Sequence, residues 1–188
     1  VGTMQEAGLF VTFAEIAGVF VGFGALIAVR SGGAADEREV VYIRTVLSFG
    51  VWVIVAALAP VTLGAYDIGE REVWLVSGLV ALVGLAGVFA VNRQTPEMQD
   101  YWAGRAEWRT STSRRQFVLE YAVDALLLVA ILAALVLVVL GLFPEQEPAL
   151  YLTAVVLGLL FAALQLLLLV YAHRGPTTTS AEAEQPLE

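Results

Sequence analysis

The chain reads as an all-α polytopic membrane protein: a five-transmembrane-helix bundle with an interfacial amphipathic helix between spans 3 and 4. Three observations lead there. Hydrophobic residues fill 59% of the 188 positions and the mean hydropathy is +0.80, far above the mixture found in soluble domains. Five apolar runs are each long enough to cross a hydrocarbon layer about 30 Å thick, which takes about 20 helical residues. The ten basic residues are all arginines, and nine of them fall on alternate connections. The spans run over about 8–29, 40–66, 72–91, 117–143 and 149–173, so residues 1–173 form one transmembrane domain.

The first span contains FAEIAGVFVGFGALIAVR, residues 13–30, an apolar helix interrupted by one acid, Glu15. Met4, Gln5 and Glu6 before it supply no basic region, so it reads as a retained span and not as a cleaved signal. At 100° per residue Glu15, Gly18, Gly22 and Ala25 share one face, with Phe10, Phe13 and Phe20 opposite. Small residues let another helix approach closely. This face is therefore expected to pack on protein, leaving the phenylalanines to lipid. A charge at the bilayer centre costs at least about 2.5–3.5 kcal/mol, so Glu15 must be neutral, paired or hydrated.

In the second span Arg44, Ser48, Thr62 and Tyr66 fall within about 40° of one another and form a polar stripe expected to face inward. Pro60 removes one helical hydrogen bond. Ser48 and Thr62 can also bond backward to their own helix. The fourth span opens FVLEYAVDALLL, which places Glu120 and Asp124 one turn apart, about 5 and 11 Å from the membrane boundary. Two carboxylates so close do not both ionise cheaply. Arg44, at similar depth, is the expected partner of Glu120 or Asp124, as a buried ion pair. In the fifth span Gly158, Ala162, Gln165 and Ala172 form a second small-residue face, with Gln165 able to reach a neighbouring helix.

Arginine placement orients the bundle, because short Arg-rich loops stay cytoplasmic. Arg30, Arg38, Arg44, Arg93, Arg105, Arg109, Arg114, Arg115 and Arg174 lie on one side and Arg71 alone on the other. The expectation is a multi-pass cell-membrane protein with its N-terminus outside and its C-terminus cytoplasmic. Cysteines placed singly at Asp67 and Thr110 test this: only the first should react with an impermeant thiol reagent in intact cells, and the reverse pattern rejects it. The loop between spans 3 and 4 carries a helix start at Thr95-Pro96-Glu97 and interleaves Trp102 and Trp108 with arginines. Residues 174–188 are polar and read as a disordered cytoplasmic tail ending in a cloning remnant, Leu187-Glu188.

The chain has no cysteine and no lysine, which excludes disulfides, thiolate ligands and Schiff bases. His173 is the single histidine, at the membrane edge. No nucleophile motif, zinc motif or phosphate loop is present, so an enzyme is not expected, nor a metal or other cofactor. The expected partners are the bilayer, anionic lipid at the inner leaflet facing the arginines, and further copies of the chain. No basic stripe suits nucleic acid. Two readings remain. In one, a homo-oligomeric channel or transport protein moves protons or cations along Glu15, Thr62, Ser48, Asp124 and Glu120. In the other, a membrane scaffold or accessory subunit uses the same acids and small residues only to specify helix packing.

Overall fold

A computed structural model of the protein describes residues 2–31, 37–66, 68–94, 99 and 114–173. Among these residues the structure is helical without strands, and five helices are long and apolar enough to span a membrane. They are α1 (Gly2–Ser31), α2 (Glu37–Leu63), α3 (Glu70–Arg93), α4 (Arg114–Leu140) and α5 (Glu147–His173), with a 3-10 turn at Pro144–Gln146 leading into α5. The interfacial helix expected between spans 3 and 4, and the tail from residue 174, lie outside the described residues.

Two helices stop three residues before their apolar runs do, and glycine ends both. Gly141 adopts φ +63° and donates its N–H to the Val138 carbonyl at 3.1 Å, closing α4 in the left-handed conformation that favours glycine. At the end of α2, Gly64 bonds back to Pro60 at 2.9 Å, and Ala65 and Tyr66 then bond to Thr62 and Leu63, turning the chain away from the helix axis. The start of α3 is held by Glu72, whose carboxylate takes the Gly69 N–H at 3.3 Å. Glu70 and Glu72 also place negative charge in the first turn, where the helix dipole favours it.

Helices α2 and α5 form the centre, α2 packing on α1, α3 and α5, and α5 on α2 and α4. Trp52 is the wedge between them. Its indole N–H donates to the Ala81 carbonyl of α3 at 2.8 Å. Its ring fills the space above Gly84 and Gly158: a Cβ at Gly84 would sit 3.2 Å from the ring, and one at Gly158 would run into it. Phe49 extends this aromatic layer, with ring centroids 4.4 Å from Phe161 and 6.1 Å from Trp52.

A second cross-tie follows from Pro60. Proline has no N–H, so the carbonyl four residues earlier, at Ala56, loses its helical donor. The Tyr151 hydroxyl of α5 supplies one at 2.6 Å, both residues being fully buried. Tyr151→Phe should therefore orphan the Ala56 carbonyl and cost about 1–3 kcal/mol. In a Pro60→Ala background the restored backbone N–H should take that carbonyl and shrink the loss. Unfolding in detergent checks this, and an equal cost in both backgrounds would show that the Ala56 bond is not responsible.

Helix α1 is turned the other way from the sequence expectation. Phe10 and Ala17 are buried and Phe13 and Phe20 half-buried against the core, whereas Glu15, Gly18, Gly22 and Ala25 are exposed on the outside of the protomer. Nothing lies within 4 Å of a Cβ built on Gly18 or Gly22. The reason is geometric: the bulky phenylalanines fill the groove beside α2 and α5, and a smooth glycine face would leave it empty. The polar stripe of α2 is likewise peripheral, with Arg44 and Ser48 half-buried and Thr62 and Tyr66 exposed. The face of α2 that enters the core is Phe49, Trp52, Val53, Ala56 and Ala57.

Candidate functional site

Near the start of α2 and the end of α3, helices α2, α3, α4 and α5 part around a cavity of about 550 Å³. This is the arginine-rich end of the bundle. Its position follows from local sequence. Residues 158, 162 and 165 share one face of α5, and the glycine and alanine there let α5 close on its neighbours. The same face then delivers Gln165 to α4, where its Nε2 donates to the Asp124 carboxylate at 2.9 Å. Both side chains are buried, Asp124 at 8% exposure and Gln165 at 3%. Burial of a carboxylate at this depth is favourable only with hydrogen bonds or a counter-charge.

The walls are mostly apolar. Phe49, Phe89, Leu128 and Phe161 line the cavity, and Phe49 meets Phe89 edge-on at 6.4 Å. Thr45 and Asn92 add polar groups, the Thr45 hydroxyl bonding back to the Val41 carbonyl at 2.8 Å. Arg93 lies exposed at the rim, with its carbonyl accepting from Gln99 at 2.9 Å. The arrangement is a buried carboxylate bonded to an amide, in a cavity whose walls carry several aromatic rings. Chemically it can accept a proton or a cation, or serve as a polar tie between α4 and α5.

The sequence-derived residues distribute unevenly around it. Asp124 and Gln165 meet in the cavity. Asp124 accepts from the Gln165 amide, and its expected partner Arg44 does not line the cavity. The side chain of Glu120 lies outside the described set, so that pairing does not enter. Ser48 does not line the cavity. The Thr62 hydroxyl bonds back to the Leu58 and Ala59 carbonyls at 2.8 and 2.9 Å. Glu15 is remote, on the outer face of α1. Gly158 sits under Trp52.

A second cavity, of about 460 Å³, opens at the other end between Phe10, Pro60, Val61, Glu70, Val73 and Trp74. The two share no lining residue. On α2 they are separated by the run from Phe49 to Pro60, about 16 Å of helix, whose inward residues Trp52, Val53, Ala56 and Ala57 are 0–3% exposed. The ladder expected from Glu15 to Asp124 is thus interrupted inside one protomer by a packed layer.

Sequence reading did not single out Thr45, Asn92 or the three phenylalanines of the cavity. Thr45 and Asn92 adjoin arginines at span edges, where interfacial residues are commonplace, and phenylalanine in an apolar run carries no signal of which surface it lines. No protein-family model, curated protein or solved structure matches the chain.

Proposed function

We propose that this integral membrane protein moves protons or cations, with the Asp124 cavity as its cation-accepting site at the cytoplasmic end, and that it works as a homo-oligomer joined through α1. The observation carrying this reading is the carboxylate of Asp124, enclosed at intramembrane depth beside a cavity and held by Gln165. Ionisable residues within membrane spans face the bundle interior or a water-filled cavity and mark substrate, ion and proton paths. The orientation follows the arginine bias, which puts the N-terminus outside and the cavity inside, next to anionic lipid. Flux into liposomes under an imposed gradient tests it: protein-loaded vesicles should exceed empty controls for protons or a monovalent cation. Equality with controls across pH and both polarities ends the transport reading.

The packed layer at Trp52 and Ala56 favours a second reading, a scaffold whose acids only order the helices. A transport protein with this layer must rearrange to pass its cargo. A scaffold has no such need, and absent flux from a stable, assembled protein supports it.

Assembly through α1 is supported by the outward Glu15, about 12 Å along the helix from Ala7 by helical rise. That carboxylate would face lipid in a lone protomer, at the insertion cost noted above, and the open Gly18 and Gly22 beside it admit a second helix. Gly22→Leu should leave the protomer intact, changing its stability by no more than about 0.5 kcal/mol, because nothing within 4 Å obstructs the new side chain. Assembly should be lost. Native mass spectrometry from nanodiscs reads both, and a wild-type protein that is only monomeric overturns the proposal.

A further inference from the structure

We infer that the cation accepted at Asp124 is an organic one with an apolar, preferably aromatic or branched, body and not a bare metal ion. This rests on the cation-accepting reading above and narrows it to a ligand class. Three features of the cavity carry it.

The first is the donor set. A bare metal ion gives up its water only to a shell of oxygens, six to eight for the larger divalent ions. Asp124 is the one acid lining the cavity, the other polar groups there being neutral amides and hydroxyls and the Arg93 guanidinium, too little negative charge to replace the water of a divalent ion. No group of three His, Cys, Asp or Glu side chains that could hold a metal ion occurs among the described residues. The second is the wall. Phe49, Phe89 and Phe161 line the same cavity as the carboxylate, and aromatic rings attract an ammonium or guanidinium electrostatically while an apolar wall disfavours a hydrated ion. The third is size. About 550 Å³ falls within the range that holds drug-sized molecules, far more than a dehydrated inorganic cation fills. Apolar walls, an enclosed anion and an amide that fixes the anion's orientation together match an amphiphilic cation, with its charge toward Asp124 and its body against the rings.

The test uses the full-length protein in zwitterionic nanodiscs with benzyltrimethylammonium and its neutral isostere neopentylbenzene, followed by calorimetry. The cation should bind at least about tenfold tighter than the isostere, and 100 mM Na⁺ or K⁺ should not displace it beyond ionic screening. In Asp124→Asn the preference should collapse to about onefold, the Gln165 bond being retained by the new amide oxygen. Phe89→Leu keeps the acid and serves where Asp124→Asn folds poorly: cation affinity should fall about threefold or more while isostere affinity holds. Equal binding of the two probes to wild type, a preference that survives Asp124→Asn, or stoichiometric displacement by Na⁺ or K⁺ would each overturn the inference. Proton flux through the wild type without binding of the organic cation overturns the ligand class while sparing the transport function. Absence of both flux and binding removes the two together.

Discussion

Trp52→Ala should destabilise the bundle by about 3–5 kcal/mol, measured as a shift in the unfolding midpoint in mixed micelles. The ring is 3% exposed and bears on two helices at once, at Gly84 and at Gly158. Neither glycine has a side chain to swing into the hole. The space therefore stays open, and α2 loses its dispersion contacts with both α3 and α5. In a bilayer this matters more than hydrophobicity, because lipid is as apolar as the ring and packing is what holds helices together. The Ala81 carbonyl also loses its indole donor. Gly158→Leu should fail for the opposite reason, pushing a side chain into the indole, with a cost of about 1–3 kcal/mol or more. Combining the two should be less damaging than the sum, since the leucine occupies part of the vacated volume. A cost below about 1 kcal/mol for Trp52→Ala, or strict additivity in the pair, would show that the wedge does not set the packing of α2.

Asp124→Asn should reduce cation or proton flux by two to three orders of magnitude, to the level of empty liposomes, while the fold persists. The substitution keeps size and retains an oxygen that the Gln165 Nε2 can bond, so the α4–α5 tie survives. What disappears is the charge. A unit charge about 4 Å from a bound cation contributes about 4 kcal/mol at an effective dielectric constant near 20, and each 1.36 kcal/mol is tenfold. A scaffold makes a different forecast: packing and assembly depend on the hydrogen bond and not on the charge, and nothing measurable should change. Asp124→Asn with undiminished flux would remove Asp124 from the transport path. Gln165→Leu completes the comparison: it removes the amide that donates to the acid and should lower stability and flux together.

Much of the fold was legible in the chain. Apolar runs of membrane-spanning length predict five helices, and five are found, because span length is dictated by bilayer thickness and by the need to satisfy every backbone group within the helix. Their ends were legible only to within a few residues. Gly141 and Gly64 stop α4 and α2 inside runs whose hydropathy continues, since a left-handed cap or a tight turn is a backbone event that hydropathy does not record. The candidate site was half legible. Asp124 and Gln165 stood out as polar residues in apolar helices, and so did Arg44, but partner choice among them depends on which faces meet.

The sequence by itself determined the environment, the number of spans, and which residues share a helical face, because these depend on local composition and on the 3.6-residue period. Tertiary structure alone decided which face points inward. In water the apolar face turns in and the polar face out, so the pattern reveals direction. In a membrane both sides of a helix are apolar, and shape replaces polarity as the criterion. Hence α1 buries Phe10 and Ala17 and turns Glu15, Gly18 and Gly22 outward, and the carbonyl freed by Pro60 finds its donor 95 residues away at Tyr151. The cavity at Asp124 is likewise a product of tertiary structure, formed where α2, α3, α4 and α5 part beyond the layer packed at Trp52.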